Sequence, residues 1–204
     1  MARDTTGLAL TALIVLVIVL LVAALALGPL SVQRFSFEGS MGGWTLAATG
    51  ILLNGTGIDW FIRFPTYGAS HGNTSLMFYL DKMNDAGKIW IERPFALRPD
   101  AAYRVTIEAI FVSADFGQFN HWRLIAGAFP KPPTTAAELT PAFRDSTGNG
   151  ASDDVGYVWL AKRYTSEVRS SAASSLVVVF GIWGTCEGPR TYYVDDVRVT
   201  IGPA

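Results

Sequence analysis

A single cysteine, Cys186, among 204 residues excludes an internal disulfide. A folded domain here must be held by packing or by a metal. Cys186 itself reads as a small buried thiol. Histidine is nearly as scarce. His71 and His121 are the only two, and neither has a neighbour at metal-ligand spacing. They read as a turn residue and a strand-edge residue. Charge of one sign is missing as well. Sixteen Lys and Arg against seventeen Asp and Glu give a formal net charge of −1, which provides no basic field for nucleic acid. There is no phosphate-binding loop and no dinucleotide fingerprint. The sequence therefore predicts a protein that is not an enzyme.

What the chain does have is one long apolar run, 8–27, opening at Leu8 and closing at Leu27. It carries no charge, and Thr11 is its only polar residue. About 20 residues at 1.5 Å each make a helix of roughly 30 Å, the thickness of a bilayer core. The run predicts a single transmembrane α-helix. Ala24-Leu-Ala26 also offers a signal-peptidase pattern, but the run exceeds the usual signal core. The expected parts are an anchor 1–28, a linker 29–33 and a domain 34–204. Counted from Gly28, the linker reaches at most roughly 20 Å, so the domain is held at the membrane surface. Arg3 and the N-terminal amine favour a cytoplasmic N-terminus. The domain is then expected on the extracytoplasmic side, periplasmic or extracellular.

Beyond the linker the pattern is β. Arg34-Phe-Ser-Phe-Glu38, Trp44-Thr-Leu-Ala47, Asp59-Trp-Phe-Ile-Arg-Phe64 and Leu76-Met-Phe-Tyr-Leu80 read as short strands bounded by turn residues. Lys88-Ile-Trp-Ile-Glu92 alternates, with Trp90 on the polar side. The segment 103–112 puts Tyr103, Val105, Ile107 and Phe111 on one face. Trp122-Arg-Leu-Ile-Ala126 continues the series. The stretch 176–183 is apolar on both parities, as a central strand covered on both sides would be. In 191–201, Val197, Val199 and Ile201 share the inward parity, and Asp195 shares it with them. Such strands predict an all-β sandwich. The segment 129–175, rich in Pro, Thr, Ala and Ser, reads as an insertion. Thr135-Ala-Ala-Glu-Leu139 forms a helical turn within it. The acidic stretch 145–154 opens like a calcium loop but has Gly156 where the bidentate Glu is needed, so it reads as a polar turn.

Three passages, taken in order, resemble a known family. They are Phe35-Ser-Phe-Glu38 with Gly43-Trp44, then His71-Gly-Asn-Thr-Ser-Leu76, then Thr191-Tyr-Tyr-Val-Asp-Asp-Val-Arg-Val199. Leu97-Arg-Pro-Asp-Ala-Ala-Tyr103 adds a typical approach to a strand. The chain after the anchor is thus similar to the galactose-binding-like jelly rolls, especially the carbohydrate-binding modules of families 4, 9 and 22. The resemblance implies a structural calcium ion joining the first and last strands, held by Glu38 and by Asp195 or Asp196. It also implies sugar contacts from exposed aromatic residues. Trp90, Trp60 and Trp122 are the candidates, and Trp90 alone has clear outward parity. Trp44 and Trp183 lie in apolar contexts and are expected in the core.

Two functions compete. In the first, the chain is a non-catalytic accessory or scaffold subunit of a larger membrane complex. Its partners are then membrane lipid and integral membrane subunits. Leu8, Ala23, Leu27 and Gly28 offer helix contacts, the small ones allowing close approach. Thr135 and Leu139 of the insertion offer the domain's contact. In the second, it is a membrane-anchored carbohydrate-binding module whose partner is polysaccharide. The short tether favours the first reading, and the resemblance favours the second.

Overall fold

A computed structural model describes residues 13–15, 31–53, 56–82, 86–113, 122–142, 144, 159–184 and 188–204. Most of the expected spanning run lies outside them, with its contact residues Leu8, Ala23, Leu27 and Gly28. Leu13, Ile14 and Val15 are helical and exposed. Among the described residues no helix is long and apolar enough to cross a membrane. His121, Cys186 and the 145–154 turn are also outside the described residues.

The domain is an all-β sandwich of two antiparallel sheets. Its strands are β1 Ser31–Phe35, β2 Thr45–Thr49, β3 Leu52–Leu53, β4 Thr56–Gly57, β5 Asp59–Arg63, β6 Leu76–Lys82 and β7 Lys88–Ala96. They continue as β8 Ala102–Ser113, β9 Trp122–Phe129, β10 Leu160–Arg169, β11 Ser175–Gly184 and β12 Gly188–Pro203. One sheet runs β10-β8-β12-β6-β5, with β1 also paired to β12. The other runs β2-β7-β11-β9, and β3 and β4 form a small hairpin. β12 is shared along its length: residues 188–194 pair with β6, and residues 197–201 with β1.

The core forms where the inner parities meet. Leu76, Phe78, Val105, Ile107, Phe111 and Val199 from the six-stranded sheet face Ile89, Ile91, Leu124, Val178 and Phe180 from the four-stranded one. Each side chain buried this way contributes roughly 1.5–3 kcal/mol. β11 lies between β7 and β9 and is covered on both faces, as its doubly apolar sequence predicts. Trp44 is in the core at 3% exposure. Trp183 is half-buried on the outer face of the four-stranded sheet, beside Lys88 and Arg123.

Two expectations need correction. First, Asp195 does not share its face with Val197. Asp195 pairs with Ile110 and Arg198 with Glu108, so two residues, Asp196 and Val197, oppose one on β8. This is a β-bulge, with Asp196 in the left-handed region at φ 51. It resets the alternation. Tyr192 and Val194 point inward before it, and Val197, Val199 and Ile201 after it. Asp195 therefore lies on the other face, with Tyr193. Second, much of 129–175 is not an insertion. β9 runs to Phe129, and β10 pairs with β8 over ten residues as the edge of the six-stranded sheet. β10 escapes a reading by hydrophobicity because its inward face mixes Leu160, Tyr164 and Val168 with Lys162 and Ser166.

Candidate ligand-binding face

The outer face of the four-stranded sheet is closed by its own chain. Helix α1, Ala136–Leu139, and the 3-10 turn Thr140–Ala142 lie across it. Leu139 and Ala142 are buried there against Trp90, Ile125, Val177 and Val179. The segment has strong local reasons to form. Thr135 caps α1, its side chain accepting from the Glu138 N–H, while the Glu138 carboxylate accepts from the Thr135 N–H. The backbone and hydroxyl of Thr134 hold Glu138 down to about 2, aided by Lys131. The Arg144 N–H donates to the Leu124 carbonyl at 3.0 Å, and Arg144 Nε to the Ala126 carbonyl at 3.1 Å, tying the far end to β9.

This cap corrects several expectations at once. Trp90 has the outward parity read from sequence, but it is 1% exposed and its indole N–H donates to Glu92. Trp122 lies in the core against Phe111, ring centroids 4.5 Å apart, and Trp60 packs on the same core. Trp90 and Trp122 are buried, and Trp60 is half-buried. Leu139 is fully buried and Thr135 is a helix cap, so both serve the chain internally.

Among the described residues, the outer face of the six-stranded sheet carries an exposed aromatic ring and an open groove. The loop between β5 and β6 folds over this face and carries Tyr67. Among the described residues Tyr67 is the exposed large aromatic, at 57%. Its ring meets Tyr193 edge to face, with centroids 6.3 Å apart. Gly68 makes this approach possible. It sits at φ +71, and a Cβ there would come within 2.8 Å of the Tyr193 ring. The loop is pinned on both sides. The Ser75 hydroxyl donates to the Gly68 carbonyl at 2.6 Å. The Ser70 N–H, the Ser70 hydroxyl and the His71 N–H donate to Asp195 Oδ2 at 3.0, 3.1 and 2.9 Å. The Asp196 N–H donates to Asp195 Oδ1 at 2.7 Å. The Asn73 N–H donates to both Glu38 oxygens, and the Thr74 hydroxyl to the Phe37 carbonyl.

From Tyr193 to Asp196 is three residues, roughly 10 Å along β12 at about 3.4 Å each. There an open groove of about 740 Å³ begins. Ile110 and Ala161 are among its lining residues, with Arg34, Asp196, Glu108, Arg163 and Arg198. Arg34 binds Asp196 with both carboxylate oxygens engaged. That hydrogen bond, and then the charge of Asp196, raises the Arg34 pKa. Glu108 is shared by Arg163 at 3.4 Å and Arg198 at 3.8 Å. One row further, the Thr106 and Thr165 hydroxyls meet at 3.1 Å. Behind Tyr67 the face is apolar, with Met77, Val112 and Tyr193 buried and Phe61 stacked on Tyr79 at 4.6 Å.

The carboxylates implied for calcium each meet protein donors. Asp195 accepts four hydrogen bonds, Glu38 holds Asn73, and Asp196 is paired with Arg34. Among the described residues, no group of three or more His, Cys, Asp or Glu is placed to hold a metal. As arranged, each of the three carboxylates is held by donors of the protein itself.

The loop also spells Gly68-Ala-Ser70-His-Gly72, the Gly-x-Ser-x-Gly spacing, which sequence reasoning missed. Ser70, His71 and Asp195 meet, but in the wrong order for a triad. Asp195 accepts from Ser70 rather than orienting His71. A hydroxyl has one proton, so while Ser70 Oγ donates to Asp195 at 3.1 Å its 2.9 Å contact with His71 Nδ1 is one in which it accepts from Nδ1–H. That tautomer is no base toward Ser70. The segment is a loop between strands, not the strand-to-helix elbow the motif requires.

Sequence reasoning also missed Tyr67 and the arginine groove. An aromatic between Pro65 and Gly68, in a loop between strands, was the available signal for Tyr67. The groove had none, since its residues come from four strands.

No protein-family model matches the sequence, and no curated protein matches it. Solved structures of distant likeness do match. The carbohydrate-binding module TmCBM61, solved with β-1,4-galactotriose, is 12% identical over 80% of this chain and 92% of its own, with a TM-score of 0.42. The K3 cleaved adhesin domain of Lys-gingipain from Porphyromonas gingivalis W83 is 14% identical over 82% and 98%, at 0.44. The CBM22-1 xylan-binding domain of Paenibacillus barcinonensis Xyn10C is 12% identical over 84% and 94%, at 0.40. At this distance the likeness carries nothing about a ligand for this chain.

Proposed function

We propose that the chain is a non-catalytic module that binds a polysaccharide on the outer face of its six-stranded sheet. The observation that carries this is Tyr67. An exposed aromatic ring, fixed against Tyr193 by a pinned loop, stands beside an open groove lined with hydrogen-bonding side chains. A pyranose has an apolar face of C–H groups and a rim of hydroxyls. The ring suits the first, and the arginines, carboxylates and threonines suit the second. Holding the ring in place beforehand lowers the ordering cost of binding. Leu139, one of the two domain contacts expected of an accessory subunit, is buried within the chain, which favours the polysaccharide reading. The apolar run 8–27 supports a setting at the membrane, with the domain outside the cytoplasm.

The test uses the full chain in detergent micelles against a panel of soluble polysaccharides. At least one should be retained. Tyr67→Ala should weaken it about tenfold, ~1.4 kcal/mol, with an unchanged melting temperature. Trp90→Phe should leave binding unaltered. A panel with no binder, or binding that survives Tyr67→Ala, overturns the reading.

A further inference from the structure

The groove beside Tyr67 is not electrically neutral. Four basic residues, Arg34, Lys162, Arg163 and Arg198, line it with Glu108 and Asp196; the Lys162 ammonium turns inward over the Trp122 ring, so three guanidiniums stand with two carboxylates in a chain whose net charge is −1. The two carboxylates are also unequally used. Asp196 is fully engaged by Arg34. Glu108 is stretched between Arg163 and Arg198, at 3.4 and 3.8 Å, where a charge-assisted hydrogen bond is about 2.7–2.9 Å. Those two guanidiniums are 71% and 52% exposed and flank the same groove from opposite sides, one on β10 and one on β12. Each turns its Nη1 toward Glu108, which lies between them, and a guanidinium has five planar N–H donors, more than one long contact uses.

Resting on the polysaccharide reading, we propose that this groove selects acidic polysaccharides, with a uronate carboxylate seated between Arg163 and Arg198. The ring and the groove then divide the work. Tyr67 takes the pyranose face of one residue, and the arginine pair takes the carboxylate of another along the chain. From Val112, in the row of Tyr193, to Glu108 is four residues of β8, roughly 14 Å at about 3.4 Å each. A short stretch of polymer spans that distance. Glu108 keeps the two guanidiniums apart and oriented while the site is empty of ligand. It neutralises only one of the two, leaving one positive charge for an incoming carboxylate. The attraction is partly exposed, so it weakens with salt.

The probes are polygalacturonate and its fully methyl-esterified form, which share a backbone and differ in charge. The full chain in uncharged detergent should bind the acidic form about tenfold more tightly at low ionic strength, with the preference shrinking as salt rises. R163Q/R198Q should bind the two forms equally, the acidic form losing its preference. Tyr67→Ala should weaken both. Equal wild-type binding of the two forms overturns the groove assignment and leaves the polysaccharide reading intact. Binding of neither overturns the groove assignment, and the polysaccharide reading then stands or falls with the panel. Inorganic polyphosphate bound as tightly as polygalacturonate, and insensitive to Tyr67→Ala, overturns the proposal in favour of a general anion surface.

Discussion

At the residue scale, glycine places the rings. Gly68 is required twice over: its φ is positive, and the space where its Cβ would stand is filled by the Tyr193 ring. Alanine there must push Tyr67 off its support or twist the loop out of the left-handed region. Gly68→Ala should cost about 1–3 kcal/mol of stability. It should also weaken polysaccharide binding while leaving the Tyr67 side chain in the sequence. Chemical denaturation and a binding titration on the same sample check both. Unchanged stability with full binding would mean the ring does not need this seat. Buried Lys88 shows the opposite economy. It is 7% exposed, its pKa is lowered by desolvation, and its ammonium lies 4.4 Å from the centre of the Trp183 ring while donating to the Ala86 carbonyl. Parity alone places Lys88 outward, as it does Trp90. Burial there comes from what lies over the face, which alternation in one strand cannot report.

At the element scale, the α1 segment decides which sheet face is free. Its helix was legible in the sequence through Thr135 and Glu138, because a capping box is a local pattern. What it covers was not, since that depends on a contact between Leu139 and strands far along the chain. The same limit applies to β10, whose pairing with β8 supplies the hydrogen bonds that its mixed sequence does not advertise. Leu139→Ala should cost about 2–5 kcal/mol if the cap unfolds only with the domain. The sandwich has its own core, so the cap is expected to open first. Hydrogen exchange should then speed up at 136–144 before it does in β7, β9 and β11, with Tyr67-dependent binding retained. Loss of binding in this variant would tie the cap to the ligand face and remove the separation between the two sheets' roles.

For the whole molecule, the alternating strands and their two-sheet packing were readable, because burial on one face writes period two into the sequence. The bulge at Asp196 was not. One extra residue reverses every side chain beyond it, and nothing in Val194-Asp-Asp-Val197 distinguishes the two parities. That single reversal decides how the sandwich is closed at this end. With Asp195 on the outer face, its carboxylate gathers Ser70, His71 and Asp196 and fixes the Tyr67 loop onto β12. Glu38 does the same for Asn73, drawing the loop to the chain after β1. Where the family resemblance implies calcium, backbone N–H groups and the Ser70 hydroxyl hold these two carboxylates, and we propose that they suffice for the closure. Melting of the full chain in calcium and in chelator should therefore coincide. An ion bound only by the folded state, at a hundred times its dissociation constant, would add ~2.7 kcal/mol and raise the melting temperature by roughly 5–11 °C. A rise of that size, abolished in Glu38→Gln, would restore the calcium site and would mean that Asp195 gives up its N–H donors to reach the ion. In its absence, Asp195→Ala should destabilise the domain by about 1–3 kcal/mol for the donors left unpaired, equally with and without calcium.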